Sequence, residues 1–285
     1  MAITGSSTID DVADALELLA ACSKGLPVSL GAAKQFVVKV GGTDQQAIEA
    51  FAKLYKRSSS LGEKYPVNVT AEYLQFKGKI WDSPYLLMTS FCGNSLFSSL
   101  PSWSVDSSSK LFELVSEHCL GEFFGEATET RNFGHPSEVG RPSEFDEAVK
   151  WIAGLMKVPL GSGYRPPRRK DGGVDIFVWK KFKDGFPGVP ILLIQCTIQG
   201  NFQNKIGDVD TRLWASWLSS DIDPLVGLCV PQMVVKLDKW GEITTRGLLF
   251  DRNRLSSMGP ATVKIDAIGQ GYIKELVKQF QEHNL

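Results

Sequence analysis

Hydrophobic residues recur at helical spacing through much of the first sixty positions. The run from Ile9 to Leu19 places its apolar residues on one face of a predicted helix, with Ser7 as its cap. A second helix is predicted from Thr43 to the serines at 58–60, and residues 29–42 predict a short helix between the two. Three short helices are typical of a helix-turn-helix, and equally of any small helical bundle.

The middle of the chain alternates between polar stretches and short apolar segments. Residues 71–81 alternate in hydrophobicity and predict a strand, whereas the Ser- and Pro-rich residues 98–109 predict a loop or linker. A helix is predicted at 110–124, and a polar loop follows it as far as Pro142. Ser143 is the predicted cap of the next helix. The apolar face of that helix comprises Phe145, Val149, Ile152 and Met156.

Beyond residue 170, strands and helices are predicted in an order typical of an α/β fold. The segments GVDIFVW and VPILLIQCTI predict two strands joined by the turn KDGFPG, and the second strand is apolar enough to be central and covered on both faces. A helix, two further strands and a closing helix are predicted at 206–217, 225–235, 244–250 and 272–280. We therefore expect a mixed sheet flanked by helices in residues 107–285, preceded by a mostly helical region in residues 1–106.

Composition places the protein among ordinary globular chains. Its 285 residues are 43% hydrophobic and 22% charged, with a formal net charge of -1, which excludes neither nucleic acids nor small molecules as partners. Five dispersed cysteines without a CxxC pair and only three histidines argue against a structural zinc site and favour a reducing compartment. The N-terminus has no signal-peptide pattern, and the longest apolar stretch is shorter than the roughly 20 residues that cross a bilayer. We therefore expect a soluble, cytoplasmic protein without a membrane partner.

Polar residues interrupt the two predicted strands at positions where they could bind a metal ion together. Asp175 lies in the first strand, and Gln195 and Thr197 lie two residues apart in the second, so their side chains leave the same face. Gln195 stands in an otherwise apolar run, and a buried amide needs partners. A metal-bound carboxylate from Asp175 would be one such partner. No GxxxxGK[ST] or GxGxxG motif is present, which argues against nucleotide binding by the usual loops.

The pattern G-V-D-I, a turn, and an apolar strand ending in Q-C-T resembles the core of the PD-(D/E)XK nucleases. It is most similar to the Mrr-like group, whose pattern is G-x-D followed by Q-x-K. The resemblance covers the chain from Ser107 onward and implies a restriction-endonuclease-like fold. It also implies that Asp175 and Gln195 hold a divalent metal, Mg²⁺ or Mn²⁺, because hard cations prefer oxygen ligands. Thr197 stands where the lysine of the family is expected.

Two further parts of the family's site have candidates in this sequence. Lys205, at the start of the helix after the Gln195 strand, is the candidate that replaces the missing lysine, since only a cation beside the activated water is required. The family adds a glutamate from a preceding helix, and two residues qualify. Glu113 follows a phenylalanine, as in the family's common Phe-Glu pair, whereas Glu147 lies closer to Asp175 in sequence.

Cations are concentrated around the motif. Seven of them lie between Tyr164 and Lys183: Arg165, Arg168, Arg169, Lys170, Lys180, Lys181 and Lys183. A basic rim around an acidic centre suits the binding of a polyanion, since phosphate contacts supply most non-specific affinity for nucleic acid. Within the rim, the run of Arg168, Arg169 and Lys170 is the predicted site of phosphate contact.

The resemblance therefore implies a metal-dependent nuclease that acts on DNA rather than RNA. Such nucleases often belong to bacterial restriction or anti-phage systems and act beside an ATPase or helicase, and a homodimer is also left open. Because the expected lysine is missing at position 197, a second interpretation is open. In that interpretation the chain is a catalytically inactive subunit that binds nucleic acid or a partner protein.

Overall fold

The computed structural model describes residues 8–78, 82–92, 105–135, 140–166, 170–184, 186, 188–220, 222–234 and 237–282. The chain divides into two compact units, Met1–Leu111 with Pro260–Leu285, and Phe112–Gly259. This division differs from the predicted one, because the C-terminal segment belongs with the N-terminal unit. Its last helix packs there through Tyr272, whose ring lies 5.7 Å from that of Phe91 and whose hydroxyl hydrogen-bonds to Ser90.

The first unit combines helices with a small antiparallel sheet. Its helices are α1 (Ile9–Cys22), α2 (Leu30–Lys39), α3 (Asp44–Leu61), α4 (Pro84–Cys92) and the chain's last helix, α10 (Ala267–Glu282). Its strands are β1 (Val28–Ser29), β2 (Val67–Val69) and β3 (Tyr73–Phe76), in the spatial order β1-β3-β2. The predicted strand at 71–81 is thus confirmed only at its centre, and its last three residues lie outside the described residues.

Side-chain caps fix where the first helices begin. Thr8 caps α1 and exchanges hydrogen bonds with Asp11, and Thr43 does the same with Gln46 at the start of α3. The predicted start at Thr43 is therefore confirmed. The cap of α1 is Thr8 and not the predicted Ser7, which lies outside the described residues.

The second unit is built on a mixed five-stranded sheet in the order β4-β5-β6-β7-β8. Strands β4, β5 and β6 are antiparallel, whereas β6, β7 and β8 are parallel. The strands are β4 (Thr128–Asn132), β5 (Ile176–Lys180), β6 (Ile191–Cys196), β7 (Leu225–Cys229) and β8 (Leu248–Phe250). The helices are α5 (Val105–Leu120), which begins in the first unit, α6 (Phe145–Met156), α7 (Thr211–Leu218), α8 (Leu237–Thr244) and α9 (Arg252–Met258). A 3₁₀-helix at Phe202–Asp208 precedes α7.

The expected α/β architecture, a mixed sheet flanked by helices, is confirmed at this level. The central strands β5 and β6 are buried at successive positions, so both faces of the sheet are covered, as the apolar run predicts. Trp214 of α7 lies at the centre of one packed layer, with its ring 5.1 Å from Phe177 and 5.0 Å from Trp217. None of the described helices is both long and apolar enough to cross a membrane.

Several local predictions are wrong. Strand β4 lies inside the segment predicted to be a loop. It was not predicted because its five polar residues have no hydrophobic pattern. Helix α6 has Glu144 at its N-cap position without a side-chain hydrogen bond, so Ser143 is not its cap. The single helix predicted after β6 is a 3₁₀-helix followed by a separate α-helix that Asp210 caps. Helices α4, α8 and α9 were not predicted.

Candidate active site

Two glycines shape the turn that leads into β5. Gly172 and Gly173 have φ angles of 67° and 82°, a region that residues with a side chain rarely adopt. A Cβ built on Gly173 would lie 2.4 Å from the backbone oxygen of Asp208, so the turn packs directly against the end of the 3₁₀-helix. Nε1 of Trp214 donates to the carbonyl of Gly172 at 3.2 Å, which ties the turn to the core. These contacts fix the backbone that leads to Asp175.

Asp175 immediately precedes β5 and is held against β6. The register pairs Ile176 with Ile194, and continuing it by one residue sets Asp175 opposite Gln195. The N–H of Asp175 donates to the carbonyl of Ile194 at 2.8 Å. The N–H of Cys196 donates to Oδ2 of Asp175 at 2.7 Å. The carboxylate is therefore bound by the residue that follows Gln195, its predicted co-ligand.

Helix α5 and strand β4 bring Glu113 to the same place. Nδ2 of Asn132 donates to Oε2 of Glu113 at 3.0 Å. The next two N–H groups, of Phe133 and Gly134, donate to the carbonyl of Asp175 at 2.7 Å and 3.1 Å. A Cβ built on Gly134 would lie 2.9 Å from Oε2 of Glu113 and 3.6 Å from Oδ1 of Asp175. The two carboxylates therefore flank one backbone position.

This crowding of acids raises the pKa of Asp175 well above its ordinary value. Burial is the largest cause, and repulsion from Glu113 is the next, with a weaker contribution from Asp171. The hydrogen bond from the Cys196 N–H and the positive charge of Lys205 lower the same pKa. Because two neighbouring carboxylates resist simultaneous ionisation, the site favours a proton or a cation between them.

Gln195 is 9% exposed, and only one end of its amide has a partner. Its Nε2 donates to Oδ2 of Asp208 at 3.3 Å. Its Oε1 is buried, and within the described part of the chain no donor reaches it. A buried acceptor without a donor costs about 1–3 kcal/mol. This oxygen is therefore suited to a ligand that the protein does not itself supply.

Lys205 lies in the middle of the 3₁₀-helix and not, as predicted, at the start of an α-helix. Its Nζ is 3.5 Å from Oδ2 of Asp208, and its side chain is 37% exposed. Its positive charge lowers the pKa of Asp175, a weaker effect than those of burial, Glu113 and the Cys196 N–H. Thr197 stands where the resemblance implies a lysine, and its Oγ1 accepts from the N–H of Gln199 at 3.2 Å in the turn after β6.

The rival helical acid, Glu147, lies on the exposed face of α6. Its carboxylate pairs with Lys150 at 2.8 Å, and its side chain is 59% exposed. The neighbouring Asp146 binds Lys150 and Arg165. Of the two predicted helical acids, the structure therefore brings Glu113 to Asp175, whereas Glu147 takes part in a surface ion-pair cluster.

Among the described cations of the predicted basic rim, some are exposed to solvent and others have partners within the unit. Lys170 and Lys183 are exposed, whereas Arg168 and Arg169 lie outside the described residues. Three other cations of the rim have partners within the unit: Arg165 with Asp146, Lys180 with the carbonyl of Phe124, and Lys181 with Glu129. Lys181 lies 3.9 Å from Glu129 and is itself 55% exposed, so Lys170, Lys181 and Lys183 are the rim lysines that the structure describes as open to solvent.

Three residues of the site were not singled out from the sequence. Asp208 has no motif, although its spacing of three residues from Lys205 suits a helical ion pair. Asn132 falls in the segment predicted to be a loop. Cys196 donates its N–H to Asp175, and the pKa of its thiol is raised by burial, then by Cys229, and then by the carboxylates of Asp175 and Glu113.

The oxygen donors suit a hard divalent cation. Among the described residues, no three His, Cys, Asp or Glu side chains form a metal-binding group. Mg²⁺ is commonly bound by one or two carboxylates, with water and substrate phosphate completing its shell. The carboxylates of Glu113 and Asp175 provide ligands of that kind, as does the amide oxygen of Gln195, which no donor among the described residues reaches. The residues present therefore fit Mg²⁺ or Mn²⁺.

The chain was compared with protein-family models, with curated proteins and with solved structures, and no match was found in any of the three. The resemblance to PD-(D/E)XK nucleases therefore consists of the short motif that contains Asp175 and Gln195. The function proposed below is therefore argued from the geometry around those two residues.

Proposed function

We propose that the protein is a metal-dependent nuclease that hydrolyses phosphodiester bonds in nucleic acid, DNA rather than RNA, on a restriction-endonuclease-like fold. The observation that carries the proposal is the convergence of the Glu113 and Asp175 carboxylates at Gly134, with the unpartnered amide oxygen of Gln195 on the neighbouring strand. A mixed sheet with a buried central hairpin is compatible with that fold. Fold alone does not establish activity, so the side chains carry the argument.

Each polar side chain of the site has a role that follows from its contacts. A bound Mg²⁺ or Mn²⁺ would neutralise phosphate charge and lower the pKa of water. Glu113, Asp175 and Gln195 would hold the cation, and Asn132 orients Glu113 through its hydrogen bond. The Lys205 ammonium adds positive charge near Asp175, where it stabilises the negative charge that develops on the phosphate.

Positive charge before Asp175 supports a nucleic-acid substrate. Lys170 is exposed in the turn before Asp175, and Arg168 and Arg169 directly precede it in sequence. Phosphate contacts by such cations supply the sequence-independent part of nucleic-acid affinity. We therefore assign to this segment the contacts with the phosphate backbone of the DNA substrate. By analogy with nucleases of this type, a bacterial defence system with an ATPase or helicase partner is the setting that we propose.

A second candidate function is a catalytically inactive subunit that binds nucleic acid or a partner protein. One observation favours it. Thr197 occupies the lysine position and is committed to a turn, while Lys205 is paired with Asp208. Without a cation at the reacting phosphate, binding would survive and hydrolysis would not.

Cleavage assays distinguish the two functions. Plasmid, linear duplex, single-stranded DNA and RNA are incubated with the protein in Mg²⁺, Mn²⁺ or EDTA, alongside Asp175→Asn, Glu113→Gln and the exposed control Glu147→Gln. Metal-dependent products that disappear in the first two variants and persist in the control support the nuclease. Products that persist in all variants contradict the assigned site. Nucleic-acid binding without Mn²⁺ binding in calorimetry would identify the inactive subunit.

A further inference from the structure

Asp208 ends the 3₁₀-helix and contacts two residues of the proposed site with one oxygen. Its Oδ2 lies 3.3 Å from Nε2 of Gln195 and 3.5 Å from Nζ of Lys205. Its backbone oxygen is packed against Gly173, where a Cβ would approach to 2.4 Å. The carboxylate is therefore tied, through its own backbone, to the turn that leads into Asp175.

A carboxylate can fix which way a neighbouring amide points. An ionised carboxylate only accepts hydrogen bonds, whereas an amide has a donating nitrogen and an accepting oxygen. With Nε2 bound to Asp208, Oε1 of Gln195 must point the other way, where it is buried and where the described residues supply no donor. Turning the amide over would place oxygen against oxygen at Asp208. The acceptor of Gln195 is thus held where no donor of the described residues satisfies it, so it is available to a bound ligand.

We propose that Asp208 is a positioning residue that locks the Gln195 amide so that Oε1 is presented to the divalent cation, and that it holds Lys205 at the same edge of the sheet. The proposal rests on the proposed function, because it assigns the cation to that site. It also accounts for an amide at position 195. A glutamate there would set a carboxylate against Asp208 and add a third negative charge beside Glu113 and Asp175.

A substitution that keeps the shape of the Asp208 side chain tests its effect on the orientation of the Gln195 amide. Asp208→Asn offers both a donor and an acceptor, so it can hydrogen-bond the Gln195 amide in either orientation. Asp210→Asn is the matched control, because it makes the same change of charge two residues later. Asp210 caps α7 by accepting from the N–H groups of Arg212 and Leu213, and asparagine caps helices equally well.

The experiment measures amide orientation and metal binding separately. The side-chain NH₂ signals of Gln195 are recorded by ¹⁵N NMR in the metal-free protein, and Mn²⁺ affinity is measured by calorimetry. The variants are Asp208→Asn, Gln195→Glu, the double variant and Asp210→Asn. We expect Asp208→Asn to shift the Gln195 signals and to weaken Mn²⁺ binding about 10–100-fold, the usual effect of losing a residue that orients a ligand. The double variant should bind Mn²⁺ more tightly than either single variant, because the carboxylate at 195 no longer faces Asp208.

The outcomes separate this inference from the proposed function. Unchanged Gln195 signals in Asp208→Asn would overturn the positioning role, whatever the protein catalyses. Shifted signals with unchanged Mn²⁺ affinity, or an equal loss of affinity in Asp210→Asn, would overturn it as well. A wild-type protein that binds no Mn²⁺ would refute the metal site itself, and with it the proposed function.

Discussion

Glu113 and Asp175 belong to different elements, yet their carboxylates flank a single glycine, Gly134. A Cβ at that position would lie 2.9 Å from Oε2 of Glu113 and 3.6 Å from Oδ1 of Asp175. The N–H of Gly134 also donates to the carbonyl of Asp175 at 3.1 Å. The missing side chain therefore leaves room for the two acids to approach, while the backbone holds one of them.

Gly134→Ala should impair metal binding without unfolding the protein. The added methyl group would displace the Glu113 carboxylate, which is the flexible end of a side chain and can move. We expect Mn²⁺ affinity, measured by calorimetry, to fall about 10-fold. Gly154→Ala on α6 is the control, since a Cβ there meets no atom within 4 Å and alanine favours the helix by up to about 1 kcal/mol. An unchanged affinity in folded Gly134→Ala would show that Glu113 is not a ligand.

Asp175→Asn should stabilise the metal-free protein at neutral pH although it slows cleavage. Burial and Glu113 raise the pKa of Asp175 in the folded state, so its ionisation destabilises the fold as the pH rises above the ordinary aspartate range. The variant should therefore melt at a higher temperature than the wild type at neutral pH. The difference should vanish below about pH 4, where the carboxyl is protonated in both states.

The same variant also tests the role of the carboxylate in metal binding. Added Mg²⁺ should raise the melting temperature of the wild type and leave that of Asp175→Asn unchanged. Cleavage should fall by at least about 10²-fold. Glu147→Gln should match the wild type in both measurements. A metal-free Asp175→Asn that melts below the wild type at neutral pH would contradict the assigned electrostatics.

The parts of the site that the sequence predicted lie on elements with a strong hydrophobic pattern. Strands β5 and β6 are apolar runs interrupted by Asp175 and Gln195, so both the strands and the polar exceptions can be recognised. Their antiparallel pairing follows from the short turn between them. The phenylalanine before Glu113 provided a further signal on a helix with clear periodicity.

The parts that the sequence did not predict depend on tertiary contacts. Strand β4 is entirely polar and pairs with β5 through backbone hydrogen bonds, which carry no side-chain signature. Asp208 lies in a 3₁₀-helix whose position is set by packing against Gly173. The return of α10 to the first unit is equally a long-range contact, made by Tyr272 with Phe91 and Ser90. Local pattern contains none of this information.

Lys205→Ala should slow cleavage by at least about 10²-fold if the ammonium stabilises the transition state. Stability should change by less than about 1 kcal/mol, because its ion pair with Asp208 is exposed. Adding Thr197→Lys to Lys205→Ala should restore part of the activity, provided that both side chains reach the same phosphate. Rates measured under single-turnover conditions separate this effect from metal binding. Unchanged single-turnover rates in Lys205→Ala would remove Lys205 from the mechanism.

Replacing Arg168, Arg169 and Lys170 together with alanine should weaken DNA binding at low salt. Each lost phosphate contact lowers the slope of log affinity against log salt concentration by about one, so the slope should fall by up to about three. Fluorescence anisotropy with a labelled duplex at several salt concentrations measures the slope. Arg165→Ala is the contrasting variant, because Arg165 binds Asp146 within the unit. An unchanged slope in the triple variant would show that this segment does not contact the backbone.

The first unit depends on a buried charge network that is separate from the proposed site. Glu17 of α1 is fully buried and accepts from the hydroxyls of Tyr65 and Tyr85 at 2.5 Å and 2.8 Å. It also lies 3.2 Å from Nη1 of Arg57, whose side chain is 2% exposed. Arg57 also pairs with Asp14 at 2.6 Å and with Asp10 at 2.9 Å, so it keeps two countercharges when Glu17 is changed.

Glu17→Gln should destabilise the protein more than its small change in shape suggests. We expect a loss of about 1.5–3 kcal/mol in chemical denaturation, because two tyrosine hydroxyls lose their charged acceptor and Arg57 loses one of its three countercharges. Tyr85→Phe removes one hydrogen bond to a charged acceptor and should cost about 1.5–3 kcal/mol. Lys53→Ala is the control, since its partly exposed pair with Asp10 should contribute less than about 1 kcal/mol. If Glu17→Gln unfolds at the same denaturant concentration as Lys53→Ala, the buried network does not stabilise this unit.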